Sequence, residues 1–543
     1  MGARPVSTPG KSPRRWKLKA PLDQEVQGFV VSGFARLPSA EALFLRFDWP
    51  ENGPGMACSQ GKGAWLKELG KIAAISDADG ADPRAAALAF TWTGLQKIGL
   101  PAPALATFAQ PFREGMYQED RLRRLGDRID ETWERTVVDG GPRWSANIPV
   151  RRSDNSPDLS GEREPDERQV VTDLTVHALL VLYEENPTAA REWADRVEAA
   201  LAPFDVRIAH KLLLDLRLDE RGIGREHFGF ADGLSQPVPY TEKSGDPDVP
   251  DQVVWADGTA VARDDWHGVP LGEILLGHTN GHHEKAPGPF VPDELVADQA
   301  GLVTDGAPVG YRNLGLNGSY LVVRELHQRV AAFWQNLEDE AARIRAHDPD
   351  AGHVTADWLA ERVIGRNVDG DLLCPGGVLA RDQLGQPGNA FGFRVKDPDG
   401  VGCPLGSHVR RANPRDSLAK DFASGQTLLD AANNHRILRR GRKFGSTLTA
   451  RNIDDGEERG LLFMCLTTDI ARQFEFVQQT WLLNENFHTL FDETDPLMGP
   501  EGRFTIREQP LRRVVQVKTF IQCAGGDYFF LPSVPALRYL AAL

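Results

Sequence analysis

Extended apolar runs that hand over directly to amphipathic stretches limit most what this chain can form. Val176-His177-Ala178-Leu179-Leu180-Val181-Leu182-Tyr183 reads as a buried strand, Pro187 to Leu201 as an amphipathic helix, and 205–218 as a further strand. The order returns in the second half. Gly318-Ser319-Tyr320-Leu321-Val322-Val323-Arg324 predicts a strand and 326–346 a helix; Leu461 to Leu466 predicts a strand and 470–484 a helix. Val514 to Phe520 and Tyr528-Phe529-Phe530 add strands before a short C-terminal helix. Near the N-terminus, Val26 to Phe34 and Ala42 to Asp48 predict strands, and 61–75 and 82–97 predict helices. Residues 113–168 predict some helix and then a long surface loop. Strands interleaved with helices, without a regular βαβ rhythm, predict an α+β fold rather than a doubly wound sheet.

At 543 residues the length allows three or four domains, but two large domains with long loops fit as well. A polar loop region at 241–316 separates halves at 24–240 and 317–543. The net charge of −15 argues against nucleic acid and anionic membrane as partners. Five scattered cysteines without a CxxC argue against a disulfide framework and for a reducing compartment. No apolar run approaches the roughly 18 residues that span a bilayer. Arg14-Arg15 is not followed by the apolar stretch a signal needs, so 1–23 is expected to be a disordered basic arm on a cytoplasmic protein.

Two segments carry the chemistry. In Phe228-Gly229-Phe230-Ala231-Asp232-Gly233-Leu234-Ser235-Gln236-Pro237, one carboxylate stands in an apolar, glycine-flanked turn. Asp-Gly is a common turn pair, but apolar surroundings raise a carboxyl pKa and suit Asp232 to proton transfer. In Cys403-Pro404-Leu405-Gly406-Ser407-His408-Val409-Arg410-Arg411-Ala412-Asn413-Pro414-Arg415, one histidine sits beside arginines. From 408 to 443 nine basic residues face three acidic ones, a net +6 inside an acidic protein. An anion is expected there. Haem, with two propionates and a taste for imidazole at its iron, fits. A phosphate ligand accounts for the charge equally, although no P-loop is present. His435-Arg436-Ile437-Leu438-Arg439-Arg440-Gly441 reads as a strand edge with Arg436 and Arg440 on one face and Arg439 on the other. It is either a solvated basic strand or the source of an arginine that stabilises charge on a breaking O–O bond. His278, His282 and His283 have a metal-like look, but their spacing fits no zinc motif.

Together these segments resemble the dye-decolourising peroxidase family, long subgroup. Gly229-Phe230-Ala231-Asp232-Gly233 matches its GxxDG motif, 403–415 its proximal segment, and Ile437-Leu438-Arg439-Arg440-Gly441 its distal-arginine strand. Residues 318–324, 526–533 and 26–34 also look familial. The resemblance implies two ferredoxin-like domains with antiparallel sheets and long inserted loops. It implies one haem b per chain, held mainly by the C-terminal domain. Asp232 inherits the acid–base role and His408 that of axial iron ligand. Arg439 aligns with the catalytic arginine, with Arg436 as its rival. Arg410, Arg411, Arg415 and Arg436 are the expected cationic neighbours of the cofactor. Asp495 is the candidate acceptor for the other ring N–H of His408. Hydrogen peroxide is the implied oxidant, and an aromatic or dye-like reductant gives up electrons singly, with Trp481 one relay point. A monomer or a homo-oligomer is expected. The rivals are a chlorite-dismutase-like or iron-releasing haem protein and a non-catalytic haem carrier.

Overall fold

The computed structural model describes residues 16–49, 61–78, 83–129, 132–146, 175–216, 218–219, 222–240, 252–254, 260–262, 266–296, 301–375, 377–378, 388–418, 425–508 and 510–543. The basic arm before residue 16 and the loop at 147–174 lie outside them.

The N-terminal half forms a four-stranded sheet from β1 (Ser39–Phe47), β2 (Ala85–Phe90), β3 (Ala178–Glu184) and β4 (Val206–Asp215), in the order β2-β3-β1-β4. Helices α1 (Ala64–Ile72) and α2 (Pro187–Leu201) join β1 to β2 and β3 to β4. Asn186 caps α2 by accepting from the Ala189 amide, and Pro187 takes the position where a missing N–H costs nothing. The C-terminal half repeats the plan with β5 (Ser319–Gln328), β6 (Leu438–Arg439), β7 (Arg442–Phe444), β8 (Gly460–Thr467) and β9 (Ile521–Leu531). Its order is β9-β5-β8, with both β6 and β7 on the far edge of β8. Every pairing within these two sheets is antiparallel. These are two ferredoxin-like units, as the resemblance implied.

The sheets meet edge to edge. Phe90 pairs with Phe530, while Lys443 and Phe444 pair with Asp215 and Leu214. With β5 bound to both β8 and β9, the eight strands β2-β3-β1-β4-β7-β8-β5-β9 close into a ring. Alternate residues line its interior: Ala42 and Phe44, Leu179 and Val181, Leu321 and Val323, Met464 and Leu466, Phe529 and Leu531, all buried in one cluster. The period of two that places them inside sends Arg439, Cys465 and Tyr528 outward. Outside the C-terminal sheet, α3 (Val330–His347) and α4 (Ala356–Ile364) pack with Phe228, Phe230 and the hairpin Gly502–Arg507/Arg512–Val517.

Two segments differ from expectation. The predicted strand at 26–34 is a short helical turn, Gly28–Val31. Its polar backbone is served by side chains instead of a ladder: Arg440 donates to the Phe29 and Val30 carbonyls. Gln27 next to it bonds Leu88 and the Pro532 carbonyl. The predicted helix at 82–97 is β2 followed by a helix at Trp92–Ile98. Alanine favours helix in isolation, but Ala85-Ala86-Ala87-Leu88-Ala89-Phe90 is buried on both faces, where tertiary packing overrides propensity. Helix α4 and the helix Gly425–Asn433 were not anticipated. Among the described residues, no helix is long and apolar enough to cross a membrane.

Candidate active site

The chain leaving β4 reaches the C-terminal sheet beside the seam. His227 bonds the Phe444 carbonyl through Nε2, at 2.7 Å, which fastens the 226–233 loop to β7. The loop is further pinned by Ala231 N–H to the Val368 carbonyl and Asp232 N–H to the Gly224 carbonyl. Gly229 (φ +100) and Gly233 (φ +74) supply the left-handed turns on either side of Asp232. Asp232 Oδ1 accepts from the Gly233 amide at 2.6 Å, leaving Oδ2 without a partner among the described residues. The carboxylate is 38% exposed, so the apolar enclosure expected for it is not there.

Arg439, on β6, faces away from the ring interior, and its Nη1 lies 3.5 Å from Asp232 Oδ1. The guanidinium is 33% exposed. Its backbone N–H is held by the Gln236 side chain, which ties it to the loop that carries Asp232. Arg436 is buried and donates to the Trp266 and Ser235 carbonyls. Of the two rivals, Arg439 is the one placed beside Asp232.

His408 opens the short helix α5 (His408–Ala412). The turn before it is folded round Asp397, whose carboxylate accepts from the amides of Val401, Gly402 and Cys403. Gly365 (φ +97) permits the close packing: a Cβ there would meet Val409, Ser407 and Cys403 at 2.4–2.9 Å. Asp495, fully buried, lies 3.1 Å from His408 Nδ1. It also accepts from the amides of Leu497 and Met498. Burial opposes ionisation of Asp495, but His408, the Met498 amide and Arg411 outweigh it and hold its carboxyl below the usual range. His408 Nε2 is left without a partner among the described residues. A histidine with Nδ1 on a buried carboxylate and Nε2 free has the tautomer and lone pair that an iron ligand needs, so these residues fit haem.

The expectation that Arg410 and Arg411 face an anion is corrected. Arg410 donates to the Cys403 carbonyl and stacks on Phe393. Arg411 donates to the carbonyls of Trp481, Leu482, Asn484 and Glu493. Both are fully buried, and both brace the chain around His408 and Asp495. Arg415, at φ +54, donates to the carbonyls of Asn389 and Phe391 and to Ser235 Oγ, so it joins the His408 segment to the Asp232 loop. Trp481 is buried in a π-helical stretch, Val477–Leu482, edge-on to His435 and Phe476. His278 bonds Asn317, and no group of three or more His, Cys, Asp or Glu is placed to hold a metal ion among the described residues. Sequence reasoning missed Glu226, whose carboxylate sits under the Asp232 loop.

No family model matches the chain. Over 386 residues it is 29% identical to the multifunctional dye peroxidase DyP2 of Amycolatopsis sp., a match that takes in 67% of this chain and 71% of that one. It is 29% identical over 344 residues to the dye-decolorizing peroxidase msp1 of Mycetinis scorodonius, 58% of this chain and 56% of that one. Among solved structures, the DyP-type peroxidase of Anabaena sp. aligns over 96% of this chain and 94% of its own, with a TM-score of 0.65 and 21% identity. The decolorizing peroxidase of Auricularia auricula-judae aligns over 96% of this chain and 100% of its own, with a TM-score of 0.65 and 18% identity. The solved structures share the fold, and in sequence the chain is similar to proteins named dye-decolorizing peroxidases.

Proposed function

We propose that the protein is a haem peroxidase that reduces hydrogen peroxide and oxidises aromatic or dye-like substrates in one-electron steps, with one haem b per chain. The observation that carries this reading is the paired arrangement: an imidazole with one free nitrogen, and a partly open carboxylate 3.5 Å from a partly open guanidinium. When bound, haem supplies the iron that activates peroxide and the capacity to take electrons from the reductant one at a time. His408 Nε2 would hold that iron. Asp495 accepts the Nδ1 proton's hydrogen bond, which fixes the ring and raises its basicity. Asp232 Oδ2 is placed to take a proton from one peroxide oxygen and to return it to the other. Arg439, beside it, would steady negative charge that builds on a peroxide oxygen. Arg415 and Arg436 tie the Ser235 loop to the rest of the site. The relatives described above are peroxidases by name, which weighs against chlorite dismutation, iron release and simple haem carriage.

The test is an absorption spectrum of the purified protein before and after one equivalent of peroxide. A histidine-ligated ferric spectrum that changes within the mixing time and returns on adding a reducing dye supports the reading. A haem spectrum indifferent to peroxide overturns it.

A further inference from the structure

Glu226 lies in the same loop as Asp232 and has no part in the steps above. The residue is only partly exposed, and its carboxylate is turned inward. Oε2 accepts from the Phe228 amide at 2.7 Å and from Gln328 Nε2 at 2.8 Å, while Oε1 accepts from the Phe230 amide at 2.9 Å. The backbone closes the same loop: Glu226 N–H donates to the Phe230 carbonyl, and Gly229 N–H to the Glu226 carbonyl. The turn that presents Asp232 is therefore wrapped round one carboxylate. Phe228 and Phe230 pack outward from it into the cluster of α3 and α4.

We propose that Glu226 is a positioning residue for Asp232, holding the 226–230 turn in place with Gln328 as its exchangeable partner and coupling its own charge to that of Asp232. The proposal rests on the peroxidase reading of the site.

The second observation is Gln328. It is 7% exposed, and its Oε1 has no hydrogen-bond partner among the described residues. A buried amide oxygen without a donor is costly, and its neighbour is a carboxyl group that can gain a proton. While Glu226 is ionised, the Gln328 amide donates to it. Once Glu226 is protonated, a half-turn of the amide lets Gln328 Oε1 accept the new O–H. Both charge states of Glu226 thus keep a partner, and the turn keeps its shape across the change.

The surroundings set where that change falls. Burial, opposed by the Phe228 and Phe230 amides and Gln328, and aided by the charge of Asp232, pushes the Glu226 carboxyl up to about 7. No cation is paired with it among the described residues. Arg225, next in the chain, is bound to the Gly229 and Val368 carbonyls and to Asp219 and Asp369. His227 is turned to Phe444. Asp232 is thus the charged neighbour that acts on Glu226.

The experiment is an infrared titration of the haem-loaded protein from about pH 4 to about pH 9, following the carbonyl band of a protonated carboxyl group. A band that fades as pH rises through about 7, is absent in Glu226→Gln, and fades at lower pH in Asp232→Asn supports the proposal. A band that persists in Glu226→Gln, or that Asp232→Asn leaves in place, overturns it. Gln328→Leu removes the donor to the anion, so the same band should fade at higher pH; no movement removes Gln328 from the proposal. For positioning, Glu226→Ala should slow the peroxide reaction by about 10- to 100-fold at every pH. Glu226→Gln should restore it. A Glu226→Ala variant equal to the parent overturns the positioning role. Should Glu226→Ala fail to fold, the infrared results on the isosteric variant still decide. If the parent itself does not react with peroxide, the peroxidase reading fails, while the infrared coupling between Glu226 and Asp232 stands or falls separately.

Discussion

Asp495, wholly buried, holds both its carboxylate oxygens within 3.3 Å of His408 Nδ1. Arg411, three residues after His408, binds the carbonyls of Trp481, Leu482, Asn484 and Glu493 and so fastens α5 to the segment that carries Asp495. His408→Ala is expected to abolish stable haem binding. Asp495→Asn keeps the shape but weakens the acceptor. It should loosen haem by about 10- to 100-fold and raise the iron reduction potential, because a less basic imidazole stabilises the ferric state less. Haem transfer to a scavenger protein and a spectroelectrochemical titration check both. Unchanged values in Asp495→Asn would detach Asp495 from the ligand.

Arg439 and Arg436 differ in what they hold. Arg439→Leu is expected to slow the peroxide reaction by about 10²- to 10³-fold, the range for loss of a preorganised charge stabiliser, with haem content unchanged. Arg436→Leu leaves the Ser235 and Trp266 carbonyls short of a donor, so it should lower thermal stability by about 1–3 kcal/mol with a smaller effect on rate. Stopped-flow and calorimetry on the two variants separate these outcomes, and a reversed pattern would give Arg436 the catalytic place.

With Asp232 as the proton carrier, dye oxidation should be best in acid, and Asp232→Asn should lose most of the peroxide reaction while retaining haem. The check is the rate of the peroxide-induced spectral change across pH. Coincident profiles for parent and variant would leave Asp232 as a turn residue only.

Acid should also weaken the fold through His177. Burial, with Lys97 and Arg46 adding to it, pushes its imidazole down to about 3, and its Nδ1 accepts the Phe47 amide proton. A histidine whose folded pKa is depressed below 6.5 contributes stability that is present above that value and lost as pH falls toward 3. The amount at stake is on the order of 5 kcal/mol. His177→Asn keeps an acceptor but cannot titrate there. Denaturant unfolding at about pH 7 and about pH 4 should show a smaller acid loss in the variant than in the parent, and equal losses would acquit His177.

How much of this was legible in the sequence depended on whether the deciding interaction was local. The runs that became β3, β5, β8 and α2 state their structure in their own periodicity. Ala85 to Phe90 does not, because what makes it a strand is its place between β3 and β9, where both its faces are buried. Asp232 and His408 stand in short motifs, and Asp495 was within reach as a carboxylate to pair with the histidine. The arginines were harder. Charge counting registers that Arg410 and Arg411 are cations but not that their guanidiniums turn inward to carbonyls. Glu226 left a faint signal, an acidic residue just before alternating phenylalanines, which becomes meaningful only once the amides of Phe228 and Phe230 are seen to converge on it.

The ring of strands closes through very few contacts at its two joins, and one of them, β4 with β7, lies between the chain that delivers Asp232 and the strand that delivers Arg439. The carboxylate follows the N-terminal sheet in the chain, yet its loop is fastened to the other half, by His227 on Phe444, Ala231 on Val368 and the two phenylalanines packed with α3 and α4. Asp232 and Arg439 therefore travel together: a slight parting along that join would leave the pair whole on the C-terminal half.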